Sequence, residues 1–301
     1  MGYSPAMLWV DTDGANTMRW SRTGLTTGQE DTWSMQEIAW GNQRHSIAAP
    51  ALARHVDGVY AAWVGTDHFI YTSRLGESPL ADQDSSVWSL PVRTGFRTNQ
   101  RPALASYAGR LYLAWKDATE GTVHWAPAAG PAGWEIEVST PWPTTYGPAL
   151  GSSLFAGLFL AWRGASSDHQ LHWTRFNSHN RWFDGPDQRF GGWTAAAPAM
   201  VGTIGHLYMA WRGDTTDRFD DPRLWWSRYE GGWADQQPLD GWSVTGPGLA
   251  ADGQSVYLAY TEQTPSNGHG QIYWSHTTQG GGWAPHQPLG ARKTYFTPAV
   301  A

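Results

Sequence analysis

The sequence predicts an all-β fold, a six-bladed β-propeller of four-stranded antiparallel blades. Three observations carry this: a repeat of about fifty residues, four short apolar runs within each copy, and one copy split between the two ends of the chain. Copies open at Pro50, Pro102, Pro148, Pro198, Pro247 and Pro298 with Pro-Ala-Leu-Ala or a close variant. Leu207-Tyr208-Met209-Ala210-Trp211-Arg212 typifies the run that follows. After Pro298 only Ala299, Val300 and Ala301 remain, whereas Pro5 to Val10 and Met18 to Ser21 read as second and third segments with no first segment before them. The last residues are therefore expected to give the innermost strand to a blade whose other strands come from the start of the sequence. Such pairing closes the ring and leaves no open sheet edge at the seam.

The third repeat shows the elements in order. Pro102 to Ala105 is the first strand, Leu111 to Lys116 the second, Thr122 to Trp125 the third, and the stretch around Trp134 the fourth. No run keeps a 3.6-residue period, so each reads as strand, and Gly109, Gly121 and Gly133 fall where turns are needed. The first strand is rich in Pro, Ala and Gly, as a crowded axis requires, while Trp33, Trp88, Trp134, Trp182, Trp233 and Trp283 mark the expected fourth strand at the wide edge. One such sheet cannot bury both faces, so copies stack radially. The reading is a single domain, 1–301, with blade 1 formed by 298–301 plus 1–49, blade 2 by 50–101, blade 3 by 102–147, blade 4 by 148–197, blade 5 by 198–246 and blade 6 by 247–297.

Composition narrows the function. Twenty Lys and Arg against 26 Asp and Glu give a net charge of −6 and a pI near 6.0, which disfavours nucleic acid and anionic membranes as partners. The longest apolar run, near Leu154 to Trp162, is too short to span a bilayer, and no charged-then-apolar leader opens the sequence. The expectation is a soluble protein, cytoplasmic or secreted without a visible signal peptide, with its oligomeric state open. The absence of cysteine excludes disulfides, thiol catalysis and zinc-thiolate sites. Signatures such as GxSxG, HExxH and a phosphate loop are missing. Asp11-Thr12-Asp13-Gly14 with Asn16 is a fragment of a calcium loop, and Asp214, Asp217, Asp220 and Asp221 form an equally incomplete acidic cluster. No cofactor, metal or catalytic residue is assigned.

In an up-and-down blade the end of strand two shares a rim with the loop leading into the next blade's first strand. The strand-two ends on that rim are Trp9-Val10, Trp63-Val64, Trp115-Lys116, Trp162-Arg163, Trp211-Arg212 and Tyr260-Thr261. Asp11, Asp67, Asp117, Asp168, Asp214 and Glu262 follow them, and the loops into strand one bring His45, Trp142, Tyr146, Trp193, Trp242 and Tyr295. Aromatic faces beside charged hydrogen-bonding groups suit sugars, whose C–H faces stack on rings while their hydroxyls bond to Arg and Asp. The expected ligand residues are Trp63, Trp115, Trp162, Trp211 and Tyr260, the cations Lys116, Arg163 and Arg212, the loop rings Trp142, Trp193 and Trp242, and Asp168 and His45. Inter-blade packing would account for the same strand-two rings, salt-bridged strand ends for the cations, and turn capping for the acids. The third-strand Trp20, Trp125, Trp173, Trp226 and Trp274 are assigned to packing. On the opposite rim Ser-Arg or Thr-Arg recurs at Ser21-Arg22, Ser73-Arg74, Thr174-Arg175 and Ser227-Arg228, which reads as a hairpin with a repeated polar anchor.

With this repeat length and this arrangement of strands, the whole chain resembles the six-bladed β-propeller lectins of fungi and bacteria, the fucose-binding type in particular. That resemblance implies ligand pockets between neighbouring blades. The family pairs an Arg on the second strand with a Glu on the third, and the matching third-strand positions here hold Trp20, Trp125, Trp173, Trp226 and Trp274. The hairpin from Ser227 to Trp233 also faintly resembles the Asp-box of sialidases, without its Asp-x-Gly core. Three functions are compatible: a carbohydrate-binding protein with several shallow pockets on one rim; an enzyme of cyclase or hydrolase type acting on a small apolar or anionic molecule at the axial mouth, where Lys116, Arg163 and Arg212 stabilise negative charge and His45, His68 or His169 moves protons; and a protein-interaction platform.

Overall fold

Short apolar runs separated by turn residues satisfy their backbone N–H and C=O groups by pairing each run with the next. A computed structural model describes residues 6–22, 36–37, 45–76, 88–130, 133–177, 187–214, 222–252, 255–262, 270–277 and 282–301, and in it this pairing yields six antiparallel sheets. From the innermost strand outward, blade 1 is Ala299–Val300, Ala6–Val10, Met18–Arg22 and Gln36–Glu37. Blade 2 is Ala51–His55, Gly58–Val64, Phe69–Leu75 and Val92–Arg97. Blade 3 is Ala103–Tyr107, Arg110–Lys116, Thr122–Gly130 and Val138–Pro143, with the short Gly133–Trp134 also paired to its third strand. Blade 4 is Ala149–Ser153, Gly157–Arg163, Gln170–Arg175 and Gln188–Trp193. Blade 5 is Ala199–Gly202, Leu207–Arg212, Arg223–Tyr229 and Gln237–Trp242, and blade 6 is Gly248–Asp252, Ser255–Thr261, Gly270–Thr277 and Gln287–Thr294. The fold is a six-bladed β-propeller.

The split blade closes the ring as the repeat implied. Met7 pairs with Val300 and Leu8 with Ala299. Ala6 N–H donates to Ala301 O at 2.7 Å and Ala301 N–H donates back to Ala6 O at 2.9 Å. Apolar packing is organised by seam: each of the six buried clusters joins side chains of two adjacent blades, such as Trp125 and Tyr112 of blade 3 with Leu160 and Trp162 of blade 4. At the axis the innermost strands approach too closely for most side chains. A Cβ at Gly202 of blade 5 would overlap the Ser152 carbonyl oxygen of blade 4. Gly109 and Gly121, at φ of 73° and 71°, make the tight turns expected of them.

Two features differ from the sequence reading. Trp88, Trp233 and Trp283 lie in isolated bridges to Leu75, Tyr229 and Thr277, and Trp134 in the two-residue Gly133–Trp134, so these rings precede the fourth strand instead of marking it. Trp33 and Trp182 lie outside the described residues. The true outer strands are Gly- and Pro-rich, which reads as loop in sequence, yet an outer strand is a sheet edge where a missing N–H faces no partner. Five of them also carry a register shift against the third strand, as between Gln170 and Leu171 or Arg223 and Trp225, which absorbs the extra residues. Trp142, Trp193 and Trp242 are consequently residues of outer strands.

A second repeated device has no counterpart in the sequence reading. The turn into each innermost strand holds a buried hydroxyl, at Ser46, Thr98, Thr144, Thr194, Ser243 and Thr294. Its oxygen bonds the backbone two residues on, as in Thr144 Oγ1 to Tyr146 O at 2.8 Å and Phe296 N to Thr294 Oγ1 at 3.1 Å. Ser46, Thr144 and Ser243 also bond the strand-two end of the next blade through Val64 N, Arg163 O and Thr261 O.

Gly202→Ala is expected to lower stability by about 1–3 kcal/mol through this backbone overlap, read as a fall in denaturation midpoint at unchanged m-value. An unaltered midpoint would show that the innermost strands have room to part.

Candidate functional site

The rim expected to bind ligand is built from a module repeated around the ring. Trp9, Trp63, Trp115, Trp162, Trp211 and Tyr260 are each fully buried at a seam. A third-strand side chain covers three of these rings: Tyr71 stacks on Trp63 at 5.9 Å, His172 on Trp162 at 5.6 Å and Tyr273 on Tyr260 at 5.9 Å. In three seams the outer strand of the preceding blade adds another ring, Phe96 stacked on Trp115 at 4.3 Å, Trp142 stacked on Trp162 at 4.7 Å and Phe190 edge-on to Trp211 at 5.0 Å. Trp142, Trp162 and His172 thus form a three-ring stack joining blade 3 to blade 4.

Two of the acids after strand two, Asp67 and Asp168, hold this module together with both oxygens. In Asp67 one oxygen accepts from Phe69 N at 3.2 Å and the other from Tyr71 Oη at 2.9 Å. In Asp168 they bond Gln170 N at 3.1 Å and His172 Nε2 at 2.9 Å, and Asp187 bonds the other nitrogen of His172 at 2.6 Å. Burial works to raise the pKa of Asp168, but the Gln170 N–H and His172 outweigh it and hold the carboxyl below its ordinary value. Asp214 departs from the pattern and bonds His169 of blade 4 across the seam. Burial is also the main influence on the Tyr260–His286 pair, bonded at 2.9 Å, where it pushes the tyrosine up and the histidine down.

Arg163 is buried and hydrogen-bonded through two of its three guanidinium nitrogens. Its Nε donates to Thr194 O at 2.8 Å and its Nη1 to Thr145 Oγ1 at 2.8 Å and Gly164 O at 3.1 Å, so it ties together the turns of two neighbouring seams. Lys116 and Arg212 are half-buried at their strand ends, and His45 is half-buried in a bridge to Thr17. Asp217, Asp220 and Asp221 lie outside the described residues. Among the expected ligand residues only Trp193 and Trp242 present large exposed rings, 42% and 54% accessible. They end the outer strands of blades 4 and 5, with His169 beside Trp193 at 6.3 Å.

A different surface forms a cavity. Between blades 5 and 6, on the flank towards the opposite rim, a groove of about 310 Å³ is lined by Trp226, Ser227, Arg228, Ala234, Asp235, Gln237 and Gly282. Alternation on the strand Arg223–Tyr229 puts Trp226 and Arg228 on one face and buries Ser227 between them. Ser227 Oγ donates to Ala234 O at 2.7 Å, which draws Asp235 and Gln237 to the groove. Trp226 is fixed by stacking on Tyr208 at 6.0 Å and by the edge of Trp283 at 5.9 Å, and Arg228 pairs with Glu230 at 2.7 Å. Sequence reading assigned Trp226 to packing and Ser227-Arg228 to a hairpin anchor. The serine is such an anchor, as are Ser73 and Ser275, bonded to Ser89 O and Ala284 O at 2.7 Å each. No linear spacing signals that Gly282 of the next repeat completes a cavity there.

Among solved structures, the chain is similar to AofleA of Arthrobotrys oligospora, with a TM-score of 0.62 and 11% identity over 100% of this chain and 89% of that one. It is similar also to an α-L-arabinanase of Penicillium chrysogenum solved with arabinobiose, at 0.62 and 15% over 91% and 90% of the two chains. The Aleuria aurantia lectin AAL, solved with Fucα1-6GlcNAc, gives 0.59 and 12% over 97% and 95%. No protein-family model and no curated protein matches the sequence. At these identities the similarity establishes the propeller and nothing finer.

Trp162→Ala is expected to cost about 3–5 kcal/mol of stability, as loss of a buried ring does, whereas Trp193→Ala changes it by less than about 0.5 kcal/mol. Thermal melts of the two variants check this, and equal small shifts would return Trp162 to the surface.

Proposed function

We propose that the protein binds carbohydrate without converting it, and that the groove between blades 5 and 6 is a binding site. The observation that carries this reading is the composition of that groove: a rigid indole, a guanidinium, a carboxylate and a carboxamide converge on a space of about 310 Å³. This is the low end of small-ligand pockets, and its chemistry matches a pyranose, with an apolar face to stack and hydroxyls to bond. The similarity to a lectin and to an arabinan-cleaving enzyme agrees with sugar as the ligand class. Binding is favoured over hydrolysis by the axial cavity, whose described lining is Leu, Ala, Gly, Ser, Val and Met with Arg54 as its charged side chain. Glycoside hydrolysis generally draws on a pair of carboxylates flanking the bond, and neither member of such a pair is among these described residues.

A second reading, a protein-interaction platform, rests on one observation. The hairpin tips between first and second strands expose Val56, Leu154, Phe155 and Ile204 on one rim. Binding there would leave the groove variants below unaffected.

A glycan array followed by calorimetry on its hits tests the proposal. Asp235 and Gln237 are exposed, so Asp235→Ala and Gln237→Ala leave the melting temperature in place. Each is expected to weaken binding about five- to tenfold, the equivalent of one hydrogen bond. Wild-type affinity in both variants would move the site elsewhere, and an array without hits would reject carbohydrate altogether.

A further inference from the structure

The six turns that enter the innermost strands crowd around one end of the axis. The residue before the repeat's proline is Ala49, Arg101, Gly147, Ala197, Gly246 or Thr297, five small side chains and one long cation. Sterics explain the two glycines: a Cβ at Gly147 would overlap the carbonyl oxygen of Arg101, and one at Gly246 that of Ala197. Arg101 is the one long side chain at these six positions, and it reaches across the opening. From the start of blade 3 its Nη1 donates to Pro247 O at 2.9 Å, at the start of blade 6, on the far side of the ring.

Arg101, half-buried, differs from Arg163, the buried cation of this rim. Arg163 spends its donors on Thr194, Thr145 and Gly164. Among the described residues Arg101 makes the one bond to Pro247, and no carboxylate lies within ion-pairing distance of it. Burial pushes its pKa down to about 10, which leaves it cationic at neutral pH. Even partial loss of water is costly for a charge, and the one carbonyl that bonds it, Pro247 O, brings no counter-charge.

Immediately inside the guanidinium is a chamber of about 30 Å³. Its floor is a girdle with one side chain from each blade: Leu52, Leu104, Leu150, Met200, Leu249 and Val300. The same six side chains roof a larger cavity of about 130 Å³ further along the axis, so the girdle divides the two spaces. The upper chamber has room for about one water-sized particle, which excludes a carboxylate or phosphate ligand. A single water there would hydrate the guanidinium without neutralising it.

We propose that this chamber binds one small monovalent anion of the halide class, held between Arg101 and the apolar girdle as the counterion of that guanidinium. The ion makes the axial end of the six innermost strands electrically neutral and couples ring stability to halide concentration. It is independent of the groove between blades 5 and 6, which lies on the outer flank.

Crystals grown in sodium bromide, measured at the bromine absorption edge, are expected to show an anomalous peak between Arg101 and the girdle. In solution, sodium bromide or chloride is expected to raise the melting temperature saturably by about 3 °C over sodium gluconate at equal ionic strength, and Arg101→Gln to abolish that difference. An empty chamber in the bromide map, or an undiminished halide response in Arg101→Gln, would overturn the proposal. Should Arg101→Gln fail to fold, Arg101→Lys keeps the charge with a different donor geometry. Its halide midpoint is expected at several-fold higher concentration, and a midpoint equal to the wild type would contradict the site.

Discussion

Closure of the ring by Ala299–Val300 is the constraint on which the rest of the structure depends. Each blade buries its faces only against neighbours, so every seam cluster presupposes that the blades on both sides are held in place. Radial stacking has no terminal cap, and an unclosed ring would leave blade 1 without its innermost strand and expose an edge at the axis. The pairing of Met7 and Leu8 with Val300 and Ala299 completes that sheet and brings Val300 into the girdle beside Leu52 and Leu249. The axial chamber, the seams and the rim geometry follow from it.

Within the closed ring, sixfold regularity and its exceptions have different work. The buried hydroxyl turns from Ser46 to Thr294, the strand-two rings and the small first-strand residues repeat because each seam poses the same packing problem. Both sites proposed for ligands lie where the repeats diverge. Arg101 replaces a small residue at one of six equivalent positions, and the groove between blades 5 and 6 gathers Trp226, Arg228, Asp235 and Gln237 at one seam. A symmetric frame tolerates such local exceptions because the remaining seams preserve stability.

The fold was legible in sequence because its determinants are periodic and local. The proline starts, the small first strands and the split copy each have a single reading once the repeat is seen. The outer strands were not legible, because Pro141, Pro143, Gly191 and Gly192 look like loop while a bulged sheet edge accommodates them. At the expected rim, sequence placed Trp162 and Trp193 on the same footing, although one is sealed under His172 and Trp142 and the other stands in solvent. Burial of a ring depends on what the neighbouring repeat sets against it, and no spacing within one repeat records that. The groove was hidden for the same reason, since its wall comes from two repeats.

The closing pair offers the most direct test, because the sequence contains no cysteine to compete. Met7 and Val300 face each other next to the Ala6–Ala301 pair that exchanges both hydrogen bonds, so theirs is the closer, non-hydrogen-bonded geometry that suits a disulfide. In a variant carrying Met7→Cys and Val300→Cys, thiol titration after mild oxidation of the folded monomer should find no free thiol and an intramolecular bond between the two ends of the sequence. Two free thiols under those conditions would mean that the ends do not meet, and the closed six-bladed ring would have to be abandoned.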